Sequence, residues 1–183
     1  MDPRIARTRR SLREALFALT RERSLDEISV SDIADRAGVN RSTYYQHYKD
    51  KDTLLAEALD AVLEDTIGDE GELSEDSGPR ILLSYLRHVS DHADLYRALL
   101  GAQGSAAVQV RMQQRVQAIL VGVLEREDAP SSGGLPPRVG AAALAGSGVA
   151  VIRAWLETEP LPDVEIAAEW IWTVLKSHGT VSR

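Results

Sequence analysis

Residues Ile28–Leu55 read ISVSDIADRAGVNRSTYYQHYKDKDTLL, and two short helices with a tight turn between them are written there. Ser29 is a good N-cap, and Asp32 three residues on completes a capping pair. A helix is therefore expected from Val30 to about Ala37, with Ile33 and Ala34 facing inward. Gly38 ends it, because glycine enters the left-handed backbone region that terminates helices. Val39 fills the corner. Asn40 is placed to cap a further helix from Arg41 to about Tyr48. Tyr44 and Tyr48 lie four apart on that helix and share one face, which can bury. Arg41, Ser42, Thr43, Tyr45, Gln46 and His47 are all capable of hydrogen bonds. Asp50 can cap another helix, which carries Leu54, Leu55, Ala58, Leu59 and Val62. Two short helices around a glycine turn form a helix-turn-helix. In that geometry the second helix enters the DNA major groove with its N-terminal residues at the base edges. Lys51 lies just beyond, where a helix N-terminus can approach a phosphate.

Upstream, helical spacing of Leu12, Ala15, Leu16 and Leu19 predicts a first helix from about Ala6 to Arg23. Downstream, the same periodicity predicts helices over Arg80–His92, Leu95–Leu100, Ala106–Arg126, Arg138–Glu157 and Asp163–Ser177. Sustained apolar–polar alternation is missing, so the fold class is all-α. Asp65–Pro79 (DTIGDEGELSEDSGP) is acidic and rich in Gly and Ser, and reads as a mobile loop. Its carboxylates lack the spacing of an EF-hand. Asp128–Pro137 (DAPSSGGLPP) reads as a second flexible break. Gly140, Gly146 and Gly148 fall inside a predicted helix, where each costs roughly 1 kcal/mol relative to Ala. Close helix–helix contact is the natural compensation.

The chain has 183 residues, a net charge of -7 and no cysteine. Disulfides, thiol nucleophiles and cysteine-based zinc sites are thereby excluded. Acidity over the whole chain argues against a nucleic-acid partner, but its distribution does not. Residues 1–53 hold 11 Lys/Arg against 9 Asp/Glu, and the remainder 10 against 19. Arg4, Arg7, Arg9, Arg10 and Arg13 concentrate the positive charge, and phosphates respond to local charge. No apolar run reaches the length needed to span a bilayer, and the N-terminus lacks the apolar core of a secretory signal. A cytoplasmic location without membrane attachment is expected.

The Ile28–Leu55 stretch resembles the signature of the TetR (tetracycline-repressor) family. The matching elements are the small-polar start of the second helix, the Ile-Ala pair, Ala-Gly-Val at the turn, the Thr-aromatic-Tyr-x-His-aromatic helix, and a Lys opening the next helix. The resemblance covers about the first third of the chain. It implies a three-helix helix-turn-helix DNA-binding domain at 1–53, followed by a helical effector-binding and dimerisation domain at 54–183. It implies a double-stranded DNA partner. Ser29 and Ser31 would approach phosphate or base. Arg41, Ser42, Thr43 and Gln46 would read bases, while Tyr45, His47 and Lys51 hold the backbone. It also implies a homodimer through the last two helices, a role that the small residues at 141–150 and Trp170, Ile171, Trp172 and Leu175 suit. Two recognition helices one DNA turn apart, about 34–36 Å, demand a palindrome. Finally it implies a pocket for a small-molecule effector in the middle helices, with Tyr85, His88, His92, Tyr96, Met112 and Trp155 as lining candidates.

His88 and His92 lie four apart and could hold a metal from one helix face, but nothing accompanies them, and two semi-exposed histidines are the preferred reading. No metal or cofactor is expected. Phosphate loops, nucleophile elbows and metalloprotease helices are not found, and Gly146-Ser147-Gly148 lacks the required spacing, so an enzyme is a remote reading. A regulator of the same type that answers to a protein partner is the nearer alternative.

Overall fold

The computed structural model describes residues 3–70, 77–102, 104–126 and 135–179. Among these, all regular structure is helical: α1 (Pro3–Thr20), α2 (Val30–Arg36), α3 (Arg41–His47), α4 (Lys51–Glu70), α5 (Gly78–Asp91), α6 (Ala93–Leu100), α7 (Ala106–Arg126), α8 (Pro137–Leu156) and α9 (Val164–Gly179). A single 3-10 turn, Leu25–Glu27, joins α1 to α2.

The expected start signals act as their chemistry requires. The Ser29 hydroxyl accepts from the Asp32 amide at 3.2 Å, and the Asp32 carboxylate accepts from the Ser29 amide at 2.8 Å. Gly38 has φ +69°, so the turn between α2 and α3 uses the conformation that glycine alone enters freely. Asp50 accepts from the amide and hydroxyl of Thr53 at 2.8 and 2.6 Å, which caps α4. Asn40 occupies the N-cap position of α3, but its side chain makes no capping bond.

Two expectations about loops need correction. Residues 65–70 continue α4, and Gly78 and Pro79 open α5. Burial explains the first: Leu63 and Thr66 are buried, and the Thr66 hydroxyl donates to the Val62 carbonyl at 2.7 Å. The fixed φ of proline suits a first helical turn, which explains the second. The middle of that acidic loop, 71–76, lies outside the described residues, as does most of the break at 128–137.

One apolar cluster runs from Leu12 on α1 to Ile171 on α9. α1 packs on α2 and α4; α4 packs on α5 and α7; α8 lies among α6, α7 and α9; and α5 contacts α9. Thus α4 belongs to both halves of the molecule. Trp155 is fully buried, and its indole donates to the Pro162 carbonyl at 2.8 Å, which fixes the corner between α8 and α9. Arg97 on α6 donates to the Leu156 carbonyl at 2.8 Å and so satisfies an open carbonyl at the end of α8. By length and composition alone α8 is apolar enough to cross a membrane. Its many Ala, Gly and Val residues raise the average without forming one unbroken apolar run.

Candidate nucleic-acid interface

Tyr44 and Tyr48 are both buried and seat α3 on the three-helix unit. The Tyr44 hydroxyl donates to the Asp50 carbonyl at 3.0 Å. The Tyr48 hydroxyl donates to the Glu57 carboxylate on α4 at 2.7 Å. That carboxylate also pairs with Arg13 at 3.1 Å and Arg9 at 3.5 Å, both on α1. Arg9 lies over the Tyr48 ring, 5.6 Å from its centroid. One acid thus ties α1, α3 and α4 together. Burial pushes both phenol pKa values well up, so these tyrosines stay neutral donors.

The opposite face of α3 carries the expected polar set. Arg41, Ser42, Tyr45 and Gln46 are exposed, and Tyr45 remains 48% accessible despite its size. The Arg41 guanidinium lies 5.6 Å from the Tyr45 ring centroid, a cation–π contact that extends both side chains along the helix. Thr43 and His47 are half-buried at the edges of this face. Thr43 lines a shallow depression with Asp35, Gly38, Val39 and Asn40. Ser31 is half-buried on α2.

Two of the expected contact residues are otherwise engaged. The Ser29 hydroxyl donates to Asp32 at 2.6 Å as well as accepting from its amide, so its proton serves the cap. Asp32 also meets Arg23 at 3.1 Å; the Ser29 bonds foremost, with Arg23, hold its carboxyl at about 2. The Lys51 ammonium does not face outward as a phosphate grip would. It donates to the Ile28 carbonyl at 3.0 Å and to the Leu25 carbonyl. The Leu25 carbonyl opens the 3-10 turn and also accepts from the Ile28 amide at 3.3 Å, whereas Ile28 follows the turn. Lys49, which the sequence reading passed over, is exposed between α3 and α4. Glu57 was passed over too; its only sequence signal is an acid on the otherwise apolar stripe of α4.

Behind this unit, a cavity of about 170 Å³ lies among α4, α5, α6, α7, α8 and α9. Of the residues suggested for an effector pocket, Tyr85, Tyr96 and Met112 line it. Trp155 does not, because it is consumed as core. His88 and His92 do not line it either. They lie on the far side of α5, in a groove shared with Phe17 of α1 and Val62 of α4. Their rings stack at 4.3 Å, and Phe17 meets each edge-on at 5.0 Å. His92 is 8% exposed, so the semi-exposed reading fails for it. Burial, then the neighbouring His92, lowers the His88 pKa to about 4, and burial lowers that of His92. Among the described residues, no group of three or more His, Cys, Asp or Glu side chains could hold a metal.

Residues 12–58 match the tetR family of bacterial regulatory proteins. A stretch of 56 residues is 38% identical to YxbF of Bacillus subtilis (strain 168), named as an uncharacterized HTH-type transcriptional regulator; it covers 30% of this chain and 15% of that protein. A TetR-family transcriptional regulator from Rhodococcus sp. shares the fold at TM-score 0.71 and 19% identity, over 96% of this chain and 100% of that one. The Thermus thermophilus FadR, a transcriptional repressor solved with lauroyl-CoA, shares it at TM-score 0.64 and 18% identity, over 96% of each chain. All three are named as transcription regulators, not enzymes. Residues 12–58 thus carry the helix-turn-helix segment of the tetR family of bacterial regulatory proteins, and the chain shares the fold of TetR-family regulators over almost its whole length.

Proposed function

We propose that this regulator is a repressor that binds a palindromic operator as a homodimer and is released by a small-molecule effector. The observation that carries DNA reading is the exposed quartet Arg41, Ser42, Tyr45 and Gln46 on a helix locked from beneath. Arg41 and Gln46 are assigned to base edges, each contributing about 1–3 kcal/mol of discrimination. Tyr45, Thr43, His47, Ser31 and Lys49 are assigned to the backbone. Lys51 is assigned instead to holding α4 against the α1–α2 connection. Residues 1–53 form the reader and 54–183 the sensor, with α4 shared.

The dimer is assigned to α8 and α9. Val139, Ala143, Ala150 and Ala154 recur along one exposed face of α8, and Ile166 and Trp170 are exposed on α9, the tryptophan at 40%. Small residues let two helices approach closely, and exposed apolar faces of this kind mark interaction surfaces.

The cavity favours a small molecule over a protein signal, because a protein would need no interior space. A route from cavity to reader is built along α7. One face of α7 lines the cavity with Met112 and Val116. Another, with Ser105 just ahead of it, holds α4: Ser105 donates to Asp52 at 2.7 Å, Arg111 to Asp60 at 2.8 Å, and Arg115 to Glu64. A ligand that displaces α7 would carry α4 with it, and Lys51 passes that shift to the α1–α2 connection. Such a ligand acts by preferring a conformation whose reader spacing no longer fits DNA. The test is binding of the full chain to its own upstream DNA at two salt concentrations, beside Arg41→Ala. Tight, salt-sensitive binding that weakens in the variant supports the reading. Salt-insensitive binding, or binding unchanged in Arg41→Ala, counts against it.

A further inference from the structure

Gly148 has no role in the packing of the fold. It lies within α8, where glycine is about 1 kcal/mol less favourable than alanine. At Gly146 an added Cβ would make only an ordinary contact, with the Gln113 amide at 3.5 Å, and at Gly148 it would meet nothing within 4 Å. Gly148 lies on the stripe of α8 that lines the 170 Å³ cavity, with Ala145 on one side and Ile152 on the other. The side chain that is missing there is cavity space.

The wall has a definite chemistry. No Asp, Glu, Lys, Arg or His lines it. Among its lining residues Tyr85, Tyr96 and Trp172 carry the side-chain oxygen and nitrogen atoms, and the surface of the cavity is almost wholly apolar. Tyr96 is 1% exposed, and its buried hydroxyl has no hydrogen-bond partner. The Tyr85 phenol stands near enough to influence it without satisfying it. A buried hydroxyl without a partner is destabilising, and a ligand oxygen would relieve it. A charged group in such a wall would be desolvated with nothing to pair it. For scale, an apolar cavity of about 150 Å³ accepts benzene.

We infer that the cavity binds an uncharged, ring-sized apolar molecule with one oxygen function directed at the Tyr96 hydroxyl, and that Gly148 keeps the space for it. This specifies the effector proposed above and rests on that reading.

The test titrates the full chain calorimetrically with 4-ethylphenol, ethylbenzene and 4-ethylbenzoate at neutral pH, then adds each to the protein–DNA complex. 4-Ethylphenol is expected to bind, ethylbenzene to bind roughly 2- to 10-fold more weakly, and the anion not to bind at the same concentration. Gly148→Leu should abolish binding. Should that variant not fold, Tyr96→Phe decides, because it should bind the phenol and the hydrocarbon equally. Heat from none of the probes overturns the inference. So does anion binding as tight as the phenol's, or phenol binding that neither substitution changes. Phenol binding without release of DNA supports the ligand class and refutes its role as effector. Release by the anion alone refutes the ligand class and leaves the effector reading standing.

Discussion

The two ends of α4 sit in differently finished surroundings. At its start, polar side chains close on one another: Tyr48 with Glu57, Glu57 with Arg13, Tyr44 with the Asp50 carbonyl, and Lys51 with the Ile28 carbonyl. Toward its end the α5–α6 region leaves polar atoms open. His88 Nε2, His92 Nε2 and the Tyr96 hydroxyl are buried without hydrogen-bond partners. A helical glycine there faces cavity space. A unit that must present four side chains to DNA in fixed geometry gains from a dense polar network, which specifies one arrangement, although Arg9 Nε within it is buried without a partner. A unit that must change shape when a ligand arrives does better with unmet demands that the ligand can meet. Stability should therefore respond sharply to changes near α3 and mildly, or favourably, to changes around the cavity.

The largest expected effect is at Tyr44. Tyr44→Ala removes a fully buried ring and its bond to Asp50, and should cost about 3–5 kcal/mol in denaturant unfolding. A loss under 1 kcal/mol would show the reader to be softer than described.

Acid comes next. His88 and His92 have folded pKa values below their ordinary 6.5, with His88 at about 4. The unfolded chain therefore binds more protons between those values, and stability should fall as pH drops from about 6.5 to 4. Arg21 opposes protonation of both rings, and Asp91 favours it. The contribution of His88 is on the order of 2 kcal/mol. Asp32 and Asp50, whose carboxyl pKa values are lowered, weaken the fold only at pH values below this window. His88→Phe should flatten the slope in thermal melts across it; an unchanged slope would place the titration elsewhere.

Glu57→Ala should cost about 1–2 kcal/mol, because the Tyr48 hydroxyl and Arg13 lose their shared partner. Gly148→Ala should instead stabilise by about 0.5–1 kcal/mol, since the new methyl meets open space and favours the helix. Destabilisation there would mean that α8 packs more tightly than its surroundings suggest. The smallest effect on stability is at Arg111. Arg111→Ala removes a half-exposed pair with Asp60 and should change unfolding by under about 0.5 kcal/mol. Its effect should show in linkage, where ligand binds as before but displaces less DNA.

The same contrast explains what could be read beforehand. Helix starts at Ser29 and Asp50, the turn at Gly38 and the buried face of Tyr44 and Tyr48 rest on neighbours within four residues, and the sequence displays them. The fates of Lys51, Trp155 and the histidine pair depend on partners beyond the reach of one helical turn. Lys51 reaches back to the carbonyl of Ile28, Trp155 turns to Pro162, and the ring of Phe17 closes over His88 and His92. No local pattern encodes those meetings. Gly148 is intermediate: its cost is legible, but the space it faces arises only when α4, α5, α6, α7 and α9 assemble around α8.

The most direct test of the central claim is selection from random duplex DNA by the full chain, repeated with Arg41→Ala and Gln46→Ala. The account predicts a palindrome with half-sites one helical turn apart, and loss of preference at one base position per half-site in each variant. Enrichment of no sequence, or of one identical sequence by all three proteins, would contradict it.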